Sequence, residues 1–115
     1  WHQDQFYWDP KAEYRRVSVW IPLQDVNEDN GCMQFMSRQH VPDTISHHKE
    51  GHDPDSNAWE ADASLFDVSL KVPCALPAGG ATVHYGKTLH YTSGNHSPEP
   101  RRAYIVSCGD PSTET

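Results

Sequence analysis

Over residues 17–23 the chain alternates: Val17, Val19, Ile21 and Leu23 fall on one side, Ser18, Trp20 and Pro22 on the other. A period of two marks a half-buried strand, so the pattern predicts a strand over 14–23 with its branched residues facing a core. Asn27-Glu28-Asp29-Asn30-Gly31 reads as a turn in which Gly31 can take a positive φ. Cys32-Met33-Gln34-Phe35-Met36 then predicts a second strand, paired with the first as a hairpin. Residues 64–73 alternate as well, with Leu65, Asp67 and Ser69 opposite Phe66, Val68 and Leu70. Pro77-Ala78-Gly79-Gly80 and Gly86-Lys87 are turn sequences that set off short strands at 81–85 and 88–92, and a last strand covers 102–108 after a loop at 93–100. No amphipathic helix and no internal repeat is evident. Six or seven short strands separated by turn residues argue for an antiparallel sandwich or barrel.

Residues 37–63 follow neither period and are rich in His, Asp, Ser and Pro. An irregular stretch of that length inside a domain is usually functional or mobile. The organisation expected is a core over 1–108 carrying this insert at 37–63, with a frayed tail at 109–115. A chain of 115 residues makes one domain, and nine prolines and seven glycines suit a loop-rich β protein better than a helical bundle. The net charge of −7 with no basic run excludes nucleic acid as an expected partner. No stretch approaches the roughly 18 apolar residues of a membrane span, and no signal peptide is present; a cytoplasmic protein without membrane contact is expected. The first methionine is Met33, so the chain reads as a segment of a longer protein. Cys32, Cys74 and Cys108 fit neither a disulfide framework nor a zinc site. They read as small hydrophobes in a reducing compartment.

Eight histidines in so short a chain hint at metal chemistry. His2-Gln3-Asp4 is the sharpest motif, because on an extended strand His2 and Asp4 project from the same face. Read with His90, far downstream, it supplies two histidines and one carboxylate. That set holds a non-haem Fe(II) ion and leaves adjacent coordination positions open. His84 competes with His90 for the third place. His40, His47, His48 and His52 are irregularly spaced and read as solvated loop residues rather than a second metal site. Tyr7 and Trp8, just past the motif, are candidates for substrate contact, whereas Trp59 and Tyr91 read as packing.

Trp1-His2-Gln3-Asp4, Val17-Ser18-Val19-Trp20-Ile21-Pro22-Leu23, Asn30-Gly31-Cys32-Met33, Ala78-Gly79-Gly80-Ala81-Thr82-Val83-His84, Lys87-Thr88-Leu89-His90 and Arg101-Arg102-Ala103-Tyr104 follow one another in this order. Together they resemble the phytanoyl-CoA dioxygenase family of Fe(II)/2-oxoglutarate oxygenases, over residues 1–107. The resemblance implies an all-β, cupin-like double-stranded β-helix, a jelly-roll with its two sheets facing each other around the metal. It implies His2, Asp4 and His90 as iron ligands, with family register favouring His90 over His84. It implies Arg101 as the partner of the 2-oxoglutarate C5 carboxylate, with Gln3 and Trp20 close to the co-substrate. An antiparallel hairpin around 93–100 would set His90 and Arg101 roughly opposite each other. A guanidinium beside a metal ligand can then grip a carboxylate in bidentate fashion, while Arg102 faces the other way.

The implied activity uses Fe(II), 2-oxoglutarate and O₂ to hydroxylate an unactivated C–H bond of a small organic substrate, releasing succinate and CO₂. Related halogenases lack the carboxylate of the ligand set, so Asp4 implies hydroxylation. The other reading is a cupin-like metal-binding or interaction domain without turnover. Family members carry an upstream segment with helices and the first core strand, so the jelly-roll should be incomplete on its N-terminal side. An open sheet edge invites pairing with another chain, which predicts a homodimer or strand-swapped oligomer. The acidic surface gives no preference for a CoA ester, whose phosphates call for lysine or arginine.

Overall fold

The computed structural model describes residues 1–9, 12–13, 15–110 and 113–114. Its strands are β1 (Ala12–Glu13), β2 (Arg16–Pro22), β3 (Met33–Phe35), β4 (His47–Lys49), β5 (Trp59–Ala61), β6 (Val72–Pro73), β7 (Thr82–Tyr85), β8 (His90–Thr92), β9 (Ala103–Gly109) and β10 (Thr113–Glu114). Two three-stranded antiparallel sheets dominate, in the orders β7-β2-β9 and β6-β3-β8. The chain passes from the first sheet to the second between β2 and β3, returns at β7, crosses again to β8 and returns at β9. This repeated crossing makes the jelly-roll, and the expected all-β class holds.

The same crossings overturn both expected hairpins. β2 pairs with β7 and β9, never with β3. β8 pairs with β3, so His90 and Arg101 are not cross-strand neighbours. Turn chemistry identifies where the chain reverses, but not which sheet it re-enters.

The buried face of β2 also differs from the alternation. Ser18, Trp20 and Pro22 point between the sheets, in register with His84, Thr82, Ser107, Ile105 and Ala103. Val17 and Leu23 are exposed. A sheet lining a polar cavity puts Ser18 and its β7 neighbour His84 inward, so the branched residues of β2 lie on the outer face.

Two further expectations fail for local reasons. Residues 64–73 form two short 3-10 turns, Ala63–Leu65 and Val68–Leu70, and only Val72–Pro73 is extended. The Asp62 and Asp67 carboxylates each accept from the backbone N–H and the hydroxyl of the serine two residues on. Such Asp-x-Ser caps compete with a sheet ladder. Residues 37–63 are not irregular throughout: β4 and β5 form a hairpin in which His47 faces Ala61 and Lys49 faces Trp59. In the expected tail, Gly109 closes β9 and β10 pairs with β1, while residues 111, 112 and 115 lie outside the described part.

The core has two patches. Trp20, Val26, Cys32 and Met33 pack at one end of the sandwich, supported by Phe35, Leu76 and Ala103. Met36, Val41, Ala61 and Leu89 join the 37–63 segment to the second sheet, with Trp1, Ile45 and Phe66 alongside. Among the described residues no helix is long and apolar enough to cross a membrane.

Leu89 is fully buried next to His90, and its carbonyl accepts from Met36 N at 3.0 Å. Leu89→Ala should cost about 2–5 kcal/mol, the usual range for a leucine cavity. Urea denaturation measures this, and a loss below about 1 kcal/mol would show that this patch does not hold the fold together.

Candidate metal centre

The residues that could bind a metal meet through backbone pairing. His2 N donates to His90 O and His90 N donates to His2 O, both at 3.0 Å. This is a hydrogen-bonded antiparallel pair, which sets two side chains directly opposite on the same face. The imidazole centroids are accordingly 4.2 Å apart. Asp4 opens a 3-10 turn (Asp4–Tyr7) as the chain leaves this pairing, and the turn brings its carboxylate back toward both rings. Asp4 Oδ1 lies 3.2 Å from His2 Nε2 and 3.4 Å from His90 Nε2. One donor atom from each of the three residues falls within 4.8 Å of the other two. Among the described residues they are the one such group of histidine, cysteine and acidic side chains.

Protonation states favour a cation. His90 Nδ1 lies 2.9 Å from Thr88 O, so Nδ1 carries the proton and the Nε2 lone pair points into the cluster. Burial, and then the His2 imidazole, push the His90 pKa down to about 4. For Asp4, burial works upward, but hydrogen bonds from His2 and His84 and the neighbouring His90 outweigh it and hold the carboxyl well below the usual carboxylate range. Near neutral pH the cluster therefore offers a neutral His90 imidazole and a carboxylate anion.

Gln3, between the ligands on the opposite side of its strand, does not face the cavity. It is fully buried, its amide nitrogen donating to Asp43 O and Lys87 O while its amide oxygen accepts from Ile45 N. The expected contact with the co-substrate is corrected to a structural one: Gln3 fastens the ligand strand to the 37–63 segment. His47 does the same, accepting from Gln3 N at 3.1 Å through Nε2 and bonding Ile45 O through Nδ1. Its ring also stacks on Phe6. It is a strut rather than a solvated loop residue. His48 and His52 stack on each other at 4.0 Å.

The cluster lies in a cavity of about 490 Å³ whose lining includes Trp20, His84 and Arg101. Arg101 sits over the Trp20 ring at 5.4 Å, and among the described residues it has no carboxylate partner. Arg102 is exposed on the outside, its backbone tied to Gln24. Gly31 makes room for the guanidinium: its φ is +97°, and a Cβ there would approach Arg101 Nε to 3.3 Å. Tyr7 and Trp8 reach the same cavity. Tyr7 also accepts from Trp59 N at 3.0 Å, which fixes its ring. Tyr91 stacks on Trp1, outside the cluster. His84, set aside as a ligand in favour of His90, instead approaches Asp4 Oδ2 at 3.3 Å from the facing sheet. Strand pairing would have revealed it, because His84 and Ser18 share the inner face.

A jelly-roll holding a two-histidine, one-carboxylate cluster in its mouth defines a cupin-like candidate metalloprotein. The sequence model described as "Phytanoyl-CoA dioxygenase (PhyH)" matches residues 1–103, and the chain belongs to this family. It is 29% identical over 108 residues to Phytanoyl-CoA dioxygenase domain-containing protein 1 of Danio rerio, a match covering 90% of this chain and 36% of that protein. It is 25% identical over 111 residues to a probable alpha-ketoglutarate-dependent hypophosphite dioxygenase of Stutzerimonas stutzeri, covering 92% of this chain and 37% of that protein. The crystal structure of EvdO2 from Micromonospora carbonacea var. aurantiaca complexed with 2-oxoglutarate superposes with a TM-score of 0.90 at 32% identity, over 100% of this chain and 46% of that one. The chain thus spans little more than a third of the length of the curated relatives it matches.

His90 is held neutral by burial, and burial likewise lowers the pKa of His47. Each binds a proton more readily in the unfolded chain. Their contribution to stability is therefore complete above the ordinary histidine pKa of about 6.5 and is lost as pH falls, through about 4 for His90. The Tm of the metal-free protein should fall steadily from pH 7 to pH 4, and His47→Gln should flatten the upper part of that profile. A Tm independent of pH over this interval would contradict the buried neutral imidazoles.

Proposed function

We propose that this chain builds the metal and co-substrate centre of a 2-oxoglutarate-dependent oxygenase, with His2, Asp4 and His90 as ligands to one Fe(II). The convergence of these three donors in a cavity that also presents the Arg101 guanidinium carries the reading. The donor set fits the ion: two imidazoles and a carboxylate suit non-haem Fe(II), and among the described residues no thiol lines the cavity. Bound Fe(II), with 2-oxoglutarate and O₂, supplies the oxidative chemistry, coupling decarboxylation to succinate and CO₂ with hydroxylation of a substrate C–H bond.

The protein's part is ligation, orientation and exclusion of water. Arg101 would present two N–H donors to the distal carboxylate of 2-oxoglutarate, with the Trp20 ring packed against its guanidinium. Thr88 O holds the His90 ring in the tautomer that ligates. As a ligand, Asp4 would fill the place that a halide would need, which favours hydroxylation. Tyr7 and Trp8 offer flat apolar surface beside the cluster for a small organic substrate.

Anaerobic addition of Fe(II) and 2-oxoglutarate should produce a weak visible metal-to-ligand charge-transfer band, and aeration should yield succinate. Arg101→Gln should raise the 2-oxoglutarate Kd about 10- to 100-fold, the equivalent of losing a charge-assisted pair. Asp4→Ala should abolish metal-dependent succinate formation. Succinate still formed by Asp4→Ala would sink the ligand assignment. The charge-transfer band without succinate would favour a binding domain over an enzyme.

A further inference from the structure

We infer that His84 is a positioning residue that keeps Asp4 monodentate, and so preserves the number of open coordination positions that the proposed oxygenase reading, on which this rests, requires. The two oxygens of Asp4 face different partners. Oδ1 is the atom near both His2 Nε2 and His90 Nε2, at 3.2 and 3.4 Å. Oδ2 is the atom that meets His84 Nε2, at 3.3 Å. His84 comes from β7 of the facing sheet, opposite Ser18, and its ring packs beside His90 with centroids 4.2 Å apart, so a strand other than those carrying His2 and His90 holds the carboxylate.

Hydrogen-bond chemistry fixes the direction. An ionised carboxylate only accepts, so His84 Nε2 carries the proton. Among the described residues buried His84 Nδ1 has no partner. The side chain is only 4% exposed, and among the described residues its polar tie is the bond to Asp4. A buried imidazole with a single bond, made to the free oxygen of a ligand carboxylate, is placed to control how that carboxylate binds. Without it Oδ2 can swing toward the metal and chelate. A chelating Asp4 would occupy one of the positions that the two donor atoms of 2-oxoglutarate and O₂ need.

Two measurements test this. In the first, Co(II) replaces iron as a spectroscopic probe in the wild type, His84→Phe and His84→Gln. His84→Phe should still bind one Co(II), with an altered d–d spectrum and 2-oxoglutarate affinity reduced at least tenfold. His84→Gln, which retains an N–H donor, should recover most of the affinity. An unchanged spectrum and affinity in His84→Phe would overturn the inference. In the second, which needs no folded phenylalanine variant, ¹⁵N-histidine NMR reads the tautomer of His84 in the Zn(II)-loaded wild type, the signal being assigned by its loss in His84→Gln. An Nε2–H tautomer with a downfield proton supports the inference, and an Nδ1–H tautomer overturns it. Failure of the underlying reading looks different: wild type and His2→Ala would then bind Co(II) equally, whatever residue 84 is.

Discussion

Everything at this site depends on two hydrogen bonds between the backbones of His2 and His90. An antiparallel pair that exchanges both N–H···O bonds leaves its side chains no choice of face. The pairing therefore brings together residues 88 positions apart in the chain and aims both rings at one point. Asp4 needs only the next turn to join them. The segment that carries His2 is held from both sides. β8 supplies the pair on one edge, and on the other Ala61 N donates to Trp1 O at 2.8 Å.

That second edge explains what the 37–63 segment does. Its β4–β5 hairpin lies beside residues 1–3, and His47 takes up the backbone N–H of Gln3, which would otherwise be a buried unpaired donor. Gln3 returns three bonds of its own, to Asp43, Ile45 and Lys87. The ligand strand is thus clamped by its non-ligand residue. A substitution at Gln3 would act on the metal through geometry rather than through contact with the co-substrate.

Much of the site was legible because chemistry and local periodicity coincide there. The His-x-Asp spacing and the glycine at 31 each followed from residue type and turn preference, and Arg101 lines the cavity while Arg102 does not. What could not be read was pairing. The turn after Leu23 and the loop after Thr92 read as hairpin connections, yet each carries the chain to the other sheet. The same gap hid His84, whose tie to Asp4 exists only because the two sheets face each other. Alternation also misassigned the inner face of β2, since a ligand-binding sandwich inverts the usual placing of polar and apolar residues. At 64–73 the pattern had the period of a strand, but two Asp-x-Ser caps chose tight turns instead. The co-substrate role of Gln3 was carried over from the family resemblance, whereas here its amide is taken up by Asp43, Ile45 and Lys87 on the other side of the strand.

The central claim is that His2, Asp4 and His90 gather around one metal ion. Anomalous diffraction at the iron edge, from crystals loaded anaerobically with Fe(II) and 2-oxoglutarate, tests it directly. The account predicts a single strong peak between His2 Nε2, Asp4 Oδ1 and His90 Nε2, with the co-substrate's distal carboxylate against Arg101. A peak at the His48–His52 stack instead, or iron bound without Asp4, would contradict it.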